Sequence, residues 1–385
     1  MDSFSFKTVE EVVFSRGAAL DLSEHCLRLG MTRPLFVTDS GLVRIGLVSP
    51  IFEKLESVKL SPQLFDQVKE DPPEETVCDG LEFARKTGVN GVIGFGGGSS
   101  MDVAKVIAVL LGGDQALSEI YGVEQVTNSR LPLILIPTTA GTGSEVTPVA
   151  VITTGKTTKA GVSSSVLLPD IALLDPNLTL GLPSNITAMT GVDAMVHAIE
   201  AYTSRHKKNP MSDGLSVQAL KLLSENIRTA VSDGEDLEAR EGMLLGSMLA
   251  GQAFANSPVA AVHALAYPLG GHYHIPHGLS NSLVLPAVLE FNMPEAYQLY
   301  AELAEVIIPE AVAGSMESKA MSFLESMCQI IRDVELPPTL DKVNVPETDL
   351  AMLAAEAMLQ QRLLINNPRE VTEENALNIY QSAYR

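Results

Sequence analysis

The chain has 385 residues, with 26 Lys and Arg against 47 Asp and Glu, a formal charge of −21. Phosphate affinity comes mainly from Lys and Arg, so this balance argues against a nucleic-acid or anionic-membrane partner. Apolar residues make up 46% and charged residues 19%, enough for the cores of two or three domains and too little charge for disorder.

The N-terminal stretch Met1-Asp2-Ser3-Phe4-Ser5-Phe6-Lys7 has no cationic segment followed by a long apolar one, so no signal peptide is expected. No apolar run approaches the ~20 residues a spanning helix needs. Cys26, Cys78 and Cys328 are too few and too scattered for a disulfide framework or a CxxC zinc site. These features predict a cytoplasmic protein outside the membrane.

Short apolar runs at 34–39, 91–96, 131–137 and 171–175 read as buried parallel strands. Helix-like stretches at 18–29, 51–55, 74–86 and 100–111 alternate with them, which predicts a doubly wound α/β layer. Residues 1–182 hold 19 glycines and residues 183–385 hold 10, and the texture changes after Leu182-Pro183. Leu215, Ala219, Leu222, Leu223 and Ile227 then share one helical face. The expected organisation is an α/β domain over 1–182 and an all-helical domain over 183–385.

Gly96-Gly97-Gly98-Ser99-Ser100 follows a predicted strand and opens a predicted helix. Backbone N–H groups at such a helix start make a pyrophosphate cradle, although a tight strand-to-helix turn needs the same glycines. The run is neither a Walker loop nor GxGxxG, and the best acidic ribose ligand, Asp39, precedes it. A second strand end, Pro137-Thr-Thr-Ala-Gly-Thr-Gly-Ser-Glu145, is rich in small and hydroxyl residues. Two such loops favour a nucleotide site.

Six of the seven histidines lie between 197 and 277. Asp193 and His197 are four apart and share a helical face. His263 sits in a helical stretch, and His277, between Pro276 and Gly278, is expected on a rigid turn after it. One carboxylate and three imidazoles suit Fe(II) or Zn(II) and are too nitrogen-rich for Mg or Ca. Each histidine alone is as well explained by an ordinary core or surface position; His25 and His206 are read that way, and His272 and His274 are left open.

With these residues in view, the chain resembles the iron-containing (group III) alcohol dehydrogenase family over essentially its whole length. The matching stretches are Gly96-Gly-Gly-Ser-Ser-Met-Asp102-Val-Ala-Lys105, Pro137–Glu145, Asp175-Pro176, Gly191-Val-Asp193-Ala-Met-Val-His197-Ala-Ile-Glu200, His263-Ala-Leu-Ala-Tyr267-Pro-Leu-Gly-Gly271 and Pro276-His277-Gly278. The match is closer to this branch than to the glycerol dehydrogenase or dehydroquinate synthase branches of the same fold.

The resemblance implies a Rossmann-like dinucleotide-binding domain, a helical domain and a metal in the cleft between them. Asp193, His197, His263 and His277 would bind Fe(II), with Zn(II) an alternative. Gly97, Gly98 and Ser99 would contact the pyrophosphate of NAD, with Asp102 on the same loop and helix. Thr138, Thr139, Thr142 and Lys159 would line the cofactor, and Asp71 matches a position often filled by Asn or Asp. Asp39 would accept from the adenine ribose and repel a 2′-phosphate, favouring NAD over NADP.

The implied reaction is hydride exchange between NAD and a small alcohol, primary or diol, in a homodimer or larger homo-oligomer. Tyr267 stands where many members carry a second histidine with a proton-relay role; a phenol of ordinary pKa near 10 is a weaker base. A hydroxyacid–oxoacid transhydrogenase or hydroxy-acid dehydrogenase of the same family needs a cation for the carboxylate, and residues 260–280 hold no Lys or Arg. A dehydroquinate-synthase-like lyase would normally need several basic residues for its phosphorylated substrate.

Overall fold

The computed structural model describes residues 3–155, 158–308 and 314–385. The chain divides into two compact units. One comprises residues 7–139 and 143–180. The other comprises 181–385 together with 140–142 and the N-terminal residues through Phe6.

The first unit carries strands β1 (Glu11–Phe14), β2 (Pro34–Val37), β3 (Gln63–Phe65), β4 (Gly91–Gly96), β5 (Gly122–Val123), β6 (Leu133–Pro137), β7 (Val149–Thr154), β8 (Thr158–Ser163) and β9 (Ile171–Leu174). Its helices are α1 (Leu22–Arg28), α2 (Ser40–Arg44), α3 (Ser49–Ser57), α4 (Glu74–Thr87) and α5 (Gly98–Leu111). Six strands form one parallel sheet in the order β1-β9-β6-β4-β2-β3. From β2 the chain steps to β3 on one side, then crosses to β4, β6 and β9 on the other. The winding reverses between β2 and β4, where open α/β sheets bind ligands beyond the strand carboxyl ends.

Side chains alternate across this sheet. Leu35, Val37, Val92, Leu133 and Leu135 enter one core, while Phe36, Ile93, Phe95, Ile134 and Ile136 enter the other, the two-residue period of a strand buried on both faces. The expected strands and helices are present. The apolar-run reading missed β1, an edge strand whose residues alternate between half-buried and exposed, and β3, which is only three residues long. It also missed the three-stranded sheet β5-β8-β7. There β7 and β8 form an antiparallel hairpin, Val149 opposite Ser163 through Thr154 opposite Thr158; β7 opens on four apolar residues, of which only Ala150 and Ile152 are buried.

Helix α5 is fastened to the start of this hairpin by a buried lysine. Lys105 is 0% exposed, and its ammonium donates to Ser144 Oγ at 2.8 Å, Thr147 O at 3.0 Å and Val149 O at 2.7 Å. Burial outweighs the attraction of Asp102 and Glu145 and pushes its pKa down to about 8. Asp102 accepts from the Ser144 hydroxyl at 2.6 Å and from Val151 N–H at 2.8 Å.

The second unit is helical, and its described residues hold no strand, as expected for 183–385. Its helices are α6 (Ser184–Thr203), α7 (Pro210–Ser232), α8 (Leu237–Asn256), α9 (Ala261–Tyr273), α10 (His277–Ile307), α11 (Met316–Asp333), α12 (Leu350–Ala357), α13 (Gln361–Leu364) and α14 (Glu373–Tyr384). Caps start several of them: Asn209, Asp236 and Thr372 accept from Ser212, Ala239 and Asn375 N–H. α6 is buried along nearly its whole length and packs against α7, α8 and α10. Among the described residues no helix is long and apolar enough to cross a membrane.

Glu145 is buried beside Lys105, and its Oε1 has no hydrogen-bond partner. Burial pushes its pKa up to about 7, against its own backbone N–H and Lys105, which pull it down. The folded chain therefore holds a proton that the unfolded chain has released, and this group's contribution to stability falls as pH rises from 4.5 to 7. Glu145→Gln removes that dependence. Thermal unfolding should show the Tm of the variant rising relative to wild type across this window; a constant difference would contradict the assignment.

Candidate metal and nucleotide sites

Asp193 and His197 lie one turn apart on α6, inside the helical unit. Ala260 to Ala266 is buried, so α9 presents His263 inward, and Pro276 precedes the first residue of α10, His277. The expectation of a turn at His277 is corrected here: the residue opens a 31-residue helix, because proline's fixed φ leads directly into its first turn. Close packing sets its place, since a Cβ on Gly278 would lie 2.3 Å from Met189 O and 3.3 Å from Asp193 Cβ.

Asp193, His263 and His277 each offer a ligand atom, and these atoms lie within 4.8 Å of one another. Asp193 is 2% exposed. Burial alone would raise its pKa, but His197, His277, His263 and the Asn281 amide outweigh that and hold it below the usual carboxylate range. His197 stands beside the three, its ring stacked on His263 with centroids 4.8 Å apart and on Phe254 at 4.3 Å. Its Nδ1 lies 3.3 Å from Gly141 O. Burial pushes its pKa down to about 4, so at neutral pH it is the uncharged imidazole that binds metals.

The donor chemistry fits a borderline cation of the Fe(II) or Zn(II) kind. Two further side chains complete the surroundings. Asn281, one turn after His277, donates from Nδ2 to Asp193 Oδ1 at 2.6 Å. Glu200, two turns after Asp193, meets His263 Nδ1 at 2.6 Å. Sequence reading gave neither a role, although their spacings of four and seven residues from expected ligands put them on the same helix faces.

Tyr267 lies one turn after His263 and is half-buried, its ring 5.9 Å from that of His277. His272 pairs with Glu356 at 2.7 Å. His274 is the left-handed cap of α9, with φ 54°.

In the α/β unit, Gly96 has φ +146°, a conformation glycine alone adopts readily, and a Cβ there would meet Ser100 Oγ at 2.7 Å. The chain can thus turn sharply from β4 into α5. Gly97 precedes α5 without a side-chain cap, and the nearest atom to a Cβ built on it is Thr139 Oγ1 at 3.6 Å. Open N–H groups of Gly98 and Ser99 at a 14-residue helix start fit a pyrophosphate.

Asp39 follows β2 across the reversal point from this loop. Its Oδ1 accepts from Gly41 and Leu42 N–H at 2.8 and 3.1 Å. Thr138 and Thr139 follow β6, Thr138 N–H bonding Gly96 O at 3.0 Å. Lys159 on β8 pairs with Asp71 at 2.6 Å, and Asp71 is held in the left-handed region at φ 49°. Thr142 belongs to the helical unit, and Asp102 has both oxygens engaged by Ser144 and Val151.

A family model described as iron-containing alcohol dehydrogenase matches residues 10–176, and one for the C-terminal part of the same family matches 187–384. The chain belongs to the iron-containing alcohol dehydrogenase family. It is 40% identical over 371 residues to long-chain-alcohol dehydrogenase 1 of Geobacillus thermodenitrificans, spanning 96% of this chain and 93% of that protein. The crystal structure of a 1,3-propanediol oxidoreductase superimposes with a TM-score of 0.96 at 34% identity, covering 100% of both chains. A sulfoacetaldehyde reductase from Bifidobacterium kashiwanohense in complex with NAD+ gives a TM-score of 0.89 at 28% identity, covering 100% of this chain and 99% of that one. This iron-containing alcohol dehydrogenase is an oxidoreductase acting on a CH–OH group, with a metal and NAD as cofactors.

Gly278→Ala puts a methyl against the carbonyl of Met189 and displaces His277 from Asp193. The expected result is a loss of about 1–3 kcal/mol in stability, with zinc affinity of the folded variant at least about tenfold weaker. Unchanged zinc binding would show that this contact does not place the ligand.

Proposed function

We propose that this chain oxidises a small neutral alcohol, primary or diol, or reduces the corresponding carbonyl compound. Asp193, His197, His263 and His277 are its metal ligands, and residues 183–385 form the metal-binding domain. The observation that carries this is the convergence of Asp193, His263 and His277 ligand atoms within 4.8 Å. When bound, the ion supplies a Lewis acid that stabilises negative charge on the reacting oxygen.

The remaining roles fall to the protein. The N–H groups of Gly97, Gly98 and Ser99, at the positive end of α5, hold the NAD pyrophosphate. Asp39 has both its backbone bonds on Oδ1, so Oδ2 can accept from the adenine ribose. Lys159, oriented by Asp71, and the hydroxyls of Thr138, Thr139 and Thr142 line the rest of the cofactor. Asp102 acts behind the loop, fixing α5 to β7. Tyr267 beside His277 offers a hydroxyl to the alcohol proton. Residues 1–182 form the corresponding NAD-binding domain.

A neutral substrate is favoured over a hydroxy acid by the absence of Lys and Arg from 260–280. The three free cysteines suit a reducing cytoplasm, and membership of this family favours a homodimer or larger homo-oligomer.

The test is NADH formation under anaerobic conditions with added Fe(II), over primary alcohols, diols and hydroxy acids. Turnover with the first two groups is expected, abolished by His263→Ala and lowered by Tyr267→Phe. Turnover confined to hydroxy acids, or surviving His263→Ala, would overturn the reading. In the same assay Asp39→Gly should raise the NADP/NAD preference by about tenfold or more, equivalent to ~1.4 kcal/mol; an unmoved ratio would remove Asp39 from the ribose site.

A further inference from the structure

Glu200 is a buried carboxylate, 4% exposed, and is not one of the proposed ligands. Its two oxygens are engaged differently. Oε1 accepts from the backbone N–H of Val262 at 2.7 Å, one of the donors that the first turn of α9 leaves without a helical partner. Oε2 lies 2.6 Å from His263 Nδ1. A carboxylate only accepts, so the proton of this bond sits on Nδ1. The lone pair of His263 is then on Nε2.

The opposite side of the ring gives the same assignment. The Asn281 amide must turn its nitrogen toward Asp193, because Asp193 Oδ1 accepts at 2.6 Å. That nitrogen lies 3.3 Å from His263 Nε2 and 3.4 Å from His277 Nε2. An amide nitrogen only donates, so Nε2 of His263 faces it as an acceptor. A donor on one side and an acceptor on the other select one tautomer of the ring, with its lone pair directed at Asp193 and His277.

We propose that Glu200 is the positioning residue of the metal centre: by holding the proton on His263 Nδ1, it keeps Nε2 free to ligate and makes the ring a stronger donor. The inference rests on reading Asp193, His197, His263 and His277 as the ligands. Glu200→Gln tests it with nearly unchanged volume. The Val262 N–H keeps its need for an acceptor, so the Gln oxygen stays there and the amide NH2 faces His263 Nδ1. That nitrogen must then accept, and the ring proton moves to Nε2, where it blocks ligation.

The experiment measures zinc affinity by chelator competition in wild type and Glu200→Gln, and reads the His263 tautomer in metal-free, 15N-histidine-labelled protein. Zinc binding should weaken by about 10–100-fold, NAD affinity should be unchanged, and the proton should shift from Nδ1 to Nε2. Equal zinc affinity in the two proteins overturns the inference. If the variant does not fold, the wild-type spectrum decides alone: protonation at Nε2 refutes it and protonation at Nδ1 supports it. A wild type that binds no zinc or Fe(II) refutes the metal-centre reading itself, and this inference with it.

Discussion

A carboxylate buried inside a helix bundle must be compensated, and Asp193 sets that condition for the helical unit. Burial alone would protonate it more readily, yet the surrounding groups hold its pKa below the ordinary range. They come from three helices: His197 from α6 itself, His263 from α9, and His277 with Asn281 from α10. Each helix must therefore keep its rotation and its height along the others. The small residues of α6 and Gly278 at the start of α10 allow the approach, and Pro276 sets where α10 begins. The same arrangement leaves a carboxylate and three imidazoles facing one another, an unfavourable interior for a stability-only design and a useful one for a cation.

The α/β unit solves a different problem with backbone rather than charge. Parallel strands end together, and reversal of the winding between β2 and β4 leaves the loops after them uncovered by a crossover. Asp39 occupies one loop and Gly97 begins the other. α5 has to remain fixed if its N–H groups are to hold an anion. The pin is Lys105, whose ammonium reaches Ser144, Thr147 and Val149. A lysine is suited to this because three donors on a long stem can bond three backbone and hydroxyl acceptors from one buried point.

The sequence made some of this legible and hid the rest for physical reasons. Strands buried on both faces announce themselves as continuous apolar runs, so β2, β4, β6 and β9 could be read directly. β1 and β3 could not, since one is a half-exposed edge and the other is short. In the β7–β8 hairpin, β7 is buried on alternate residues only and β8, Thr-Lys-Ala-Gly-Val-Ser, carries too few large apolar residues to stand out. Asp193 and His197 were legible through their helical spacing, and the region 197–277, with six of the seven histidines, through its density. The start of α10 at His277 was not, because Pro276 reads equally as a turn and as a helix entry. Glu200 and Asn281 needed coordinates: spacing puts them on the right faces, but only distance shows which ring atom each one meets.

Asp39, the proposed ribose ligand, shows how closely such a residue can be bound to its own support. Its Oδ1 accepts from Gly41 and Leu42 N–H and so caps α2, a contribution of about 0.5–2 kcal/mol for such caps. In the proposed NAD site the ribose-facing role would fall on the other oxygen of the same carboxylate. Any residue that removes the negative charge to admit a 2′-phosphate therefore also touches the cap. Glycine loses the side-chain acceptor but keeps the backbone freedom favoured at a cap, whereas a large apolar residue loses both. Serine or asparagine retains an acceptor without the charge. With Asp39 in the proposed role, the cofactor preference and the first turn after β2 are linked through one side chain, and the substitutions open to a change of cofactor are those that still satisfy the Gly41 and Leu42 amides.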